Sequence, residues 1–379
     1  MPAVKISGML RRDSAKSLKR LGRVFLCLLL LWFSCDIYLQ SRGYRPEHTC
    51  AQFAQIEPDR NVFDSEIGWL NYPGRHRSLE SPAGKTIWES IWPDGSRVSR
   101  PDFNRATPYR VMVLGCSFTY GMGVEDYQTY VWQLNRLFPR VTFDNFGAVG
   151  YGTCQAYLTE KRLFELNRQK YDLVLYAPMQ SHPLRNVNPF VVNFLNPRQQ
   201  FLGVDEPYIL PPIGSLDSHG KLCISAPISR WLGDSIFTTI NFFKRMSDFR
   251  AVQRTQEPGY RPDPQWHLVY LRLLQQMDAE AKQHGARFAV CCLDSSDNDN
   301  LQLPVRCNLQ MNLDVSAYED IPEQLPFPYG YMGNERLGHE RLPKFYVNGD
   351  LSNHPSALVH RGWALNIAQW LEEERLLQN

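Results

Sequence analysis

From residue 109 onward, short apolar runs alternate with segments of helical periodicity, and this alternation limits the fold more than any other feature. The runs are continuously apolar, which is typical of parallel strands that are buried on both faces. The predicted strands are 109–115, 141–145, 172–178, 287–293 and 343–347, and the predicted helices are 126–138, 153–170, 263–283 and 356–377. The pattern therefore predicts a three-layer α/β/α sandwich with a mainly parallel sheet.

The N-terminus of the chain combines positive charge with a strongly apolar stretch. Seven of the 41 basic residues precede position 24, together with a single acidic residue, and residues 24–33 are then apolar without interruption. Positive charge before an apolar helix directs the N-terminus to the cytoplasm. We therefore predict a basic cytoplasmic tail at 1–23 and an uncleaved signal anchor at 24–40, with the rest of the chain outside the cytoplasm. A cleaved secretory signal and an apolar cytosolic helix are the alternatives.

The remaining chain divides into a lead-in and a main domain. Residues 41–107 are rich in Pro, Gly, Arg and aromatic residues with turn signals, which predicts a linker and a small β-rich lead-in. The main domain would then span 108–379. Within it, 183–260 carries many prolines among apolar residues and is too hydrophobic for a plain linker. We predict that this insert caps or forms a substrate site.

Composition limits the classes of partner. The net charge is only +2, and the basic excess lies in the N-terminal tail, so the body of the chain is slightly acidic. Nucleic-acid binding requires a clustered basic face, and we expect no nucleic-acid partner. Nine cysteines are too few for a disulfide scaffold in a chain of 379 residues. Cys116 with Cys154 is one conceivable bridge, which the sequence alone cannot assign.

A serine follows the first predicted strand of the main domain. The sequence Gly115-Cys116-Ser117-Phe118-Thr119 puts Ser117 at a turn from strand to helix. Ligands of open parallel sheets bind at the carboxyl ends of the strands, where such turns lie. Ser117 is therefore the candidate nucleophile. A phosphate-binding loop or a simple helix cap would give the same local pattern.

A serine of this kind needs a base. His354 lies in Asp350-Leu351-Ser352-Asn353-His354-Pro355, directly before the last predicted helix. An imidazole with an ordinary pKa can accept and return a proton at neutral pH. His354 is the candidate general base, and Asp350 is the candidate acid that orients its ring.

Taken together, these segments resemble the SGNH/GDSL hydrolase superfamily over about residues 109–375. The resemblance rests on four blocks in the same order along the chain: Ser117 after the first strand, Asn145 with Gly150 after the second, His182 with Arg185 after the third, and Asp350 with His354 before the last helix. Cys116 stands where the family has Asp, and Asp350 precedes the histidine by four residues rather than three. The match is therefore partial.

The resemblance implies roles for further residues. It implies that the N–H groups of Ser117 and Gly150 form an oxyanion hole, and that His182 stands in for the Asn donor of the third block. Gln180 would be the fallback donor, while Asn145 and Arg185 would contact substrate or support the site. It also implies an esterase that removes O-acyl groups, such as acetyl, from a glycan or other ester through an acyl-serine intermediate.

Two other activities fit the same residues. An O-acyltransferase would pass the acyl group to a sugar hydroxyl, and a catalytically inactive relative would only bind glycan. Motifs for dinucleotides, phosphates or metals are absent from the sequence, among them Gly-x-Gly-x-x-Gly, the Walker loop and His-Glu-x-x-His. We therefore expect no cofactor and no metal.

Overall fold

The computed structural model describes residues 5–41, 61–78, 85–166, 168–179, 182–188, 209–229, 240, 265–293, 329–331, 347 and 354–377. Its helices are α1 (Lys5–Ser41), α2 (Ser117–Tyr120), α3 (Tyr130–Leu137), α4 (Thr153–Leu166), α5 (His182–Arg185), α6 (Trp266–Gln283) and α7 (Ala357–Glu373). Its strands are β1 (Asn61–Asp64), β2 (Gly68–Asn71), β3 (Gly74–Arg77), β4 (Trp88–Ile91), β5 (Tyr109–Gly115), β6 (Val141–Asn145), β7 (Leu173–Ala177), β8 (Ile209–Leu210), β9 (Gly214–Leu216), β10 (Leu222–Ile224), β11 (Ile228–Ser229), β12 (Arg287–Cys292) and β13 (Tyr329–Tyr331).

The centre of the molecule is a parallel sheet with the strand order β13-β12-β7-β5-β6. Strands β5, β6 and β7 are buried along almost their whole length. Such strands must be apolar on both faces, which explains the continuous apolar runs of the sequence. The predicted parallel α/β class is confirmed.

Successive side chains of each strand enter two separate cores. On one face, Val113, Leu175 and Cys291 pack with residues of α3 and α7, including Leu134 and Trp363. The opposite face packs against α4 and α6, with Leu114, Tyr176 and Val290 from the strands and Phe164 and Leu274 from the helices. Helices on both faces of the sheet make the three layers that the alternation predicts.

Two predicted elements differ in the structure. The fifth strand of the described sheet is β13, and of the strand predicted at 343–347 only Val347 is described, which lies in a turn. The helix predicted at 126–138 is a 3₁₀ turn, Asp126–Gln128, followed by α3. Thr129 separates them because its hydroxyl accepts a hydrogen bond from the Trp132 N–H (3.2 Å) and caps α3.

The lead-in forms two antiparallel hairpins, β1–β2 and β3–β4. The second joins the main sheet through Arg97, whose backbone N–H donates to the Asn145 carbonyl at the end of β6 (2.7 Å). Below this joint, the buried carboxylate of Asp144 accepts from Arg100 and from Arg110, each at 2.6 Å. The lead-in is therefore attached to β6, the strand that leads into the turn carrying Gly150.

The described part of the insert contains the short antiparallel pairs β8–β11 and β9–β10. Leu216, Leu222 and Ile224 pack on Val269 and Leu273 of α6. Much of 183–260 lies outside the described residues, and its role as a cap stays a prediction.

Helix α1 contains the predicted anchor. Its stretch Arg20–Ser41 has a mean hydropathy of 1.7 over its most apolar window, and most of these side chains are exposed. At 1.5 Å per residue, a helix of 22 residues reaches about 33 Å, enough for the apolar core of a bilayer. The helix is compatible with a membrane anchor or with a signal sequence.

Candidate active site

Ser117 lies where β5 gives way to α2. The strand ends at Gly115, Cys116 is the N-cap residue and Ser117 is the first helical residue. Ser117 is only 4% exposed. Its hydroxyl has no hydrogen-bond partner among the described residues, and its oxygen is not completely buried. The alcohol therefore keeps a small opening to solvent, and no described residue competes for its hydrogen bonds.

The neighbouring thiol of Cys116 is fully buried. It belongs to the core between the sheet and helices α3 and α7, and it forms no disulfide. Cys154 is also a free thiol, so the conceivable Cys116–Cys154 bridge is not formed. Of the two side chains at this turn, only that of Ser117 is accessible to a substrate.

The turn after β6 packs directly on the Ser117 helix. The Asn145 amide donates to the Thr119 carbonyl (2.8 Å), and its oxygen accepts the N–H of Gly147 (3.0 Å). A Cβ at Gly147 would lie 2.4 Å from the Tyr120 nitrogen, so only glycine permits this approach. Both ends of the Asn145 amide are used within the protein, where they hold the turn after β6 on the Ser117 helix.

Gly150 follows in the same turn with φ of +80°, a conformation that favours glycine. The turn is held from the lead-in, because the Trp69 indole N–H donates to the Val149 carbonyl (2.9 Å). In the described part of the chain, no acceptor contacts the backbone N–H of Gly150 or of Ser117. These two donors are available for a ligand.

His182 lies beyond the end of β7, at the start of α5, and is completely buried. Its Nδ1 is 2.7 Å from the Tyr176 hydroxyl, while its Nε2 is buried and has no hydrogen-bond partner in the described part of the chain. Burial, reinforced by the nearby positive charge of Arg185, holds the pKa of His182 well below its usual range. The ring is therefore neutral and carries one N–H.

Arg185 is bound to the turn that carries Gly150. Its Nη1 donates to the Tyr151 carbonyl (2.8 Å), and its Nε is buried without a hydrogen-bond partner among the residues that the structure describes. This contact joins the turns after β6 and β7. Gln180, the fallback donor, lies outside the described residues.

His354 approaches the Ser117 turn through Phe118. The two rings meet edge to face, with centroids 5.7 Å apart, and Phe118 also stacks on Trp363 of α7. The His354 backbone is fixed by a hydrogen bond from the Val347 N–H to its carbonyl (2.9 Å). The described contacts of His354 do not include a hydrogen bond to the Ser117 hydroxyl. Asp350 lies outside the described residues.

His360 is the other histidine near this turn, and it has a structural role. It stacks on Tyr130, and its Nδ1 accepts the Tyr130 N–H (3.3 Å). Burial, followed by the charges of Arg97 and His354, lowers the pKa of His360 to about 3. It is therefore neutral at physiological pH, and its contacts with Tyr130 pack α7 on α3.

Sequence reasoning missed the polar residues behind His182. The Tyr176 hydroxyl lies 2.9 Å from the Thr153 hydroxyl, which accepts a hydrogen bond from the Asn186 amide (3.0 Å). These residues belong to β7, to the start of α4 and to the segment after α5, and only the fold brings them together. Among the described residues, no cluster of His, Cys, Asp or Glu has the arrangement of a metal site.

Comparison with known proteins gives likeness among solved structures only. No family model and no curated protein matches the sequence. A GDSL-family lipolytic protein from Veillonella parvula is 9% identical, with 69% of this chain and 97% of that one covered and a TM-score of 0.35. A GDSL-like lipase from Bacteroides thetaiotaomicron is 11% identical, with coverage of 71% and 93% and a TM-score of 0.36.

An acetyl xylan esterase from Butyrivibrio proteoclasticus is 8% identical, with 78% of this chain and 68% of that one covered and a TM-score of 0.36. Values this low define neither a substrate nor the residues of a site. The matched structures include members of the GDSL family that the sequence resembles, and the chain is similar to them at low identity.

Proposed function

We propose that this chain is an SGNH-type serine esterase that removes O-acyl groups through an acyl-Ser117 intermediate. One observation carries the proposal. The Ser117 hydroxyl lies at the carboxyl edge of the parallel sheet, and among the described residues neither this hydroxyl nor the N–H groups of Ser117 and Gly150 have a hydrogen-bond partner. A nucleophile beside unpaired N–H donors is the combination that acyl transfer requires.

His354 would act as the base. It would take the Ser117 proton as Oγ attacks the acyl carbon, and return that proton to the departing alcohol. Water, deprotonated by the same imidazole, would then attack the acyl carbon. The acyl–Oγ bond would break to release the acid, and the imidazole would return the proton to Ser117 Oγ. The contact of His354 with Phe118 supports this role, because it holds the ring beside the residue that follows the nucleophile. Catalytic hydrogen bonds of unliganded enzymes often tighten only when substrate binds. Asp350 would orient the ring.

The oxyanion would be bound by the N–H groups of Ser117 and Gly150, with His182 as a third donor. The low exposure of Ser117 favours a short acyl group such as acetyl. We propose an acylated glycan as the carrier, because an apolar N-terminal helix suits an enzyme of the cell envelope. An acceptor sugar in place of water would make the same site an O-acyltransferase.

The test of the nucleophile uses the full chain in detergent with p-nitrophenyl acetate. Ser117→Ala should lower kcat/KM by at least about 1,000-fold, and His354→Ala by roughly 100- to 10,000-fold. A fluorophosphonate probe should label Ser117 in the wild type. Ser215→Ala, at an exposed serine of β9, and Cys116→Ala are the controls and should retain both activity and labelling.

Three outcomes decide between the activities. Ser117-dependent release without sugar supports the esterase. Release that needs an acceptor glycan and leaves acyl on it supports the transferase. Unchanged hydrolysis in Ser117→Ala, or glycan binding with no Ser117-dependent chemistry on any ester, would refute the esterase.

We further propose that α1 is an uncleaved anchor and that the chain from residue 41 lies outside the cytoplasm. Cys223 offers a natural reporter, because its thiol is free and exposed. A membrane-impermeant maleimide should label it in intact cells, with Cys223→Ser as the control. Labelling only after lysis would contradict this orientation.

A further inference from the structure

His182 has a fully buried ring of which one nitrogen is bonded and the other is not. The partner of Nδ1 is the Tyr176 hydroxyl, at 2.7 Å, and Nε2 has none. A hydroxyl can donate to Nδ1 or accept from it, so this contact alone does not say which nitrogen carries the proton. The other hydrogen bonds around Tyr176 determine which nitrogen is protonated.

The side-chain amide of Asn186 has a fixed orientation. Its oxygen accepts the backbone N–H of Cys154 (3.1 Å), so its NH₂ group faces the Thr153 hydroxyl oxygen (3.0 Å). An amide nitrogen only donates. Thr153 Oγ1 therefore accepts from Asn186 and still has its own hydrogen to place.

Tyr176 is the remaining partner of that hydroxyl. The two oxygens lie 2.9 Å apart, and either can donate in such a pair. If Thr153 donates to Tyr176, then Tyr176 donates to Nδ1 of His182, and every hydroxyl hydrogen has an acceptor. If Tyr176 donates to Thr153 instead, the Thr153 hydrogen has no acceptor among its described contacts, although Thr153 is fully buried. In that second case Nδ1 must carry the ring proton, so Nε2 is left as a buried acceptor without a donor as well. The second direction thus leaves two buried groups unsatisfied and the first leaves only the Nε2–H, so the first direction is favoured.

We propose that Asn186, Thr153 and Tyr176 form a directed hydrogen-bond relay that holds His182 in the tautomer with its proton on Nε2. The relay ends at the Nε2–H of His182. This group is buried, and none of the described residues supplies an acceptor for it. The chemistry that satisfies such a group is an oxygen acceptor, such as an ester carbonyl that becomes an oxyanion.

The three relay residues are positioning residues, because they act on substrate only through His182. This use of the relay rests on the esterase activity proposed above, whereas the tautomer does not. The positive charge of Arg185 supports the same state, since it disfavours a second proton on the ring. Tyr176 itself stays protonated, because burial raises its pKa well above the usual range.

The tautomer can be read directly by nitrogen NMR of the full chain, labelled with ¹⁵N-histidine in detergent micelles. The His182 signals are assigned by their loss in His182→Gln. At neutral pH we expect a pyrrole-type Nε2 and a pyridine-type Nδ1 that accepts a hydrogen bond. Tyr176→Phe should move the Nδ1 signal toward that of an unbonded pyridine-type nitrogen, and Thr153→Ser, which keeps the hydroxyl, should leave it unchanged. A proton on Nδ1, or a doubly protonated ring, overturns the relay.

Replacement of the ring tests its use in catalysis. The side-chain nitrogen of Gln can reach the place of Nε2, whereas that of Asn reaches only the place of Nδ1. We expect His182→Gln to keep a kcat roughly 10-fold or more above that of His182→Asn, because one oxyanion donor contributes about 100- to 1,000-fold. KM should differ little.

Equal kcat values for the two folded variants overturn the positioning role. The spectrum needs no substrate. If no Ser117-dependent cleavage is found, the proposed esterase fails while the relay is still judged by the tautomer of the wild-type protein.

Discussion

The turns after β5 and β7 both present a candidate site residue at the carboxyl edge of the sheet, but buried charges support one and neutral groups support the other. Behind Ser117, the guanidinium of Arg97 donates to the carbonyls of Tyr120 (2.9 Å), Gly121 (2.6 Å) and Val124 (2.7 Å). Behind His182 lie two hydroxyls and an amide.

The difference follows from what each turn must satisfy. A four-residue helix ends with several carbonyls that have no partner within the helix, and a planar group with five N–H donors can bind them together. The charge of Arg97 is balanced by Glu89 (3.9 Å) and Asp126 (3.1 Å). At His182, the relay proposed above requires a defined proton position, which neutral hydroxyls provide without adding charge next to the ring.

The largest effect should come from removal of the buried charge. Arg97→Met would remove the arginine hydrogen bonds of three carbonyls and the buried countercharge of Glu89 and Asp126, and we expect a loss of about 3–5 kcal/mol in the free energy of unfolding. Urea unfolding of the full chain in detergent measures it. Arg140→Met, at an exposed arginine, should stay within about 0.5 kcal/mol of the wild type. A loss at Arg97 no larger than that would show that the turn does not depend on charge.

The neutral turn should respond less. Tyr176→Phe leaves the Thr153 hydroxyl hydrogen and His182 Nδ1 without partners but creates no unpaired charge, so we expect a loss of about 1–2 kcal/mol. The same unfolding experiment measures it. A loss equal to that of Arg97→Met would remove the distinction between the two turns.

The sheet itself could be predicted well from the sequence. β5 and β6 have the predicted bounds, β7 is shorter than predicted by one residue at each end, and β12 is shorter by one residue at its C-terminal end. The agreement is close because continuous apolar runs mark strands that are buried on both faces. β13 was missed because Tyr329-Gly330-Tyr331 is short, follows a Pro-rich stretch and lies at the edge of the sheet. Such a strand is defined by its neighbour β12 rather than by its own composition.

Within the candidate site, only the residues that directly follow strands could be predicted from the sequence. Ser117 and His182 follow strands, and in a parallel sheet that position brings them to one edge. Nothing local marks Arg97 or Tyr176, since an arginine after a Pro-Asp-Gly turn and a tyrosine in an apolar strand have ordinary structural explanations. Their roles depend on contacts with segments that are distant in sequence, and these contacts exist only in the folded chain.

The smallest effect should come from a second arginine that connects the lead-in to the main domain. Arg162 of α4 forms a paired contact with Asp64 of β1, with N–O distances of 2.6 and 2.9 Å, and a further one with exposed Glu66 (2.6 Å). Unlike Arg97, its side chain is 25% exposed, so solvent screens the pair. Arg162→Met should therefore cost only about 0.5–1 kcal/mol, and less in high salt.

The pH dependence of this pair gives a second readout. Partial burial alone would raise the pKa of Asp64, but hydrogen bonds from Arg162 and from the N–H groups of Ile67 and Glu66 outweigh it and hold the pKa below its usual range. A lowered pKa in the folded state contributes stability that is present above the unfolded pKa of about 4 and is lost as the pH falls. Arg162→Met should reduce that acid-sensitive part, measured as the difference in unfolding free energy between about pH 6 and about pH 3. An unchanged difference, or a loss at Arg162 that matches the loss at Arg97, would mean that exposure does not distinguish the two arginines, and the contrast between buried and screened charge would fail.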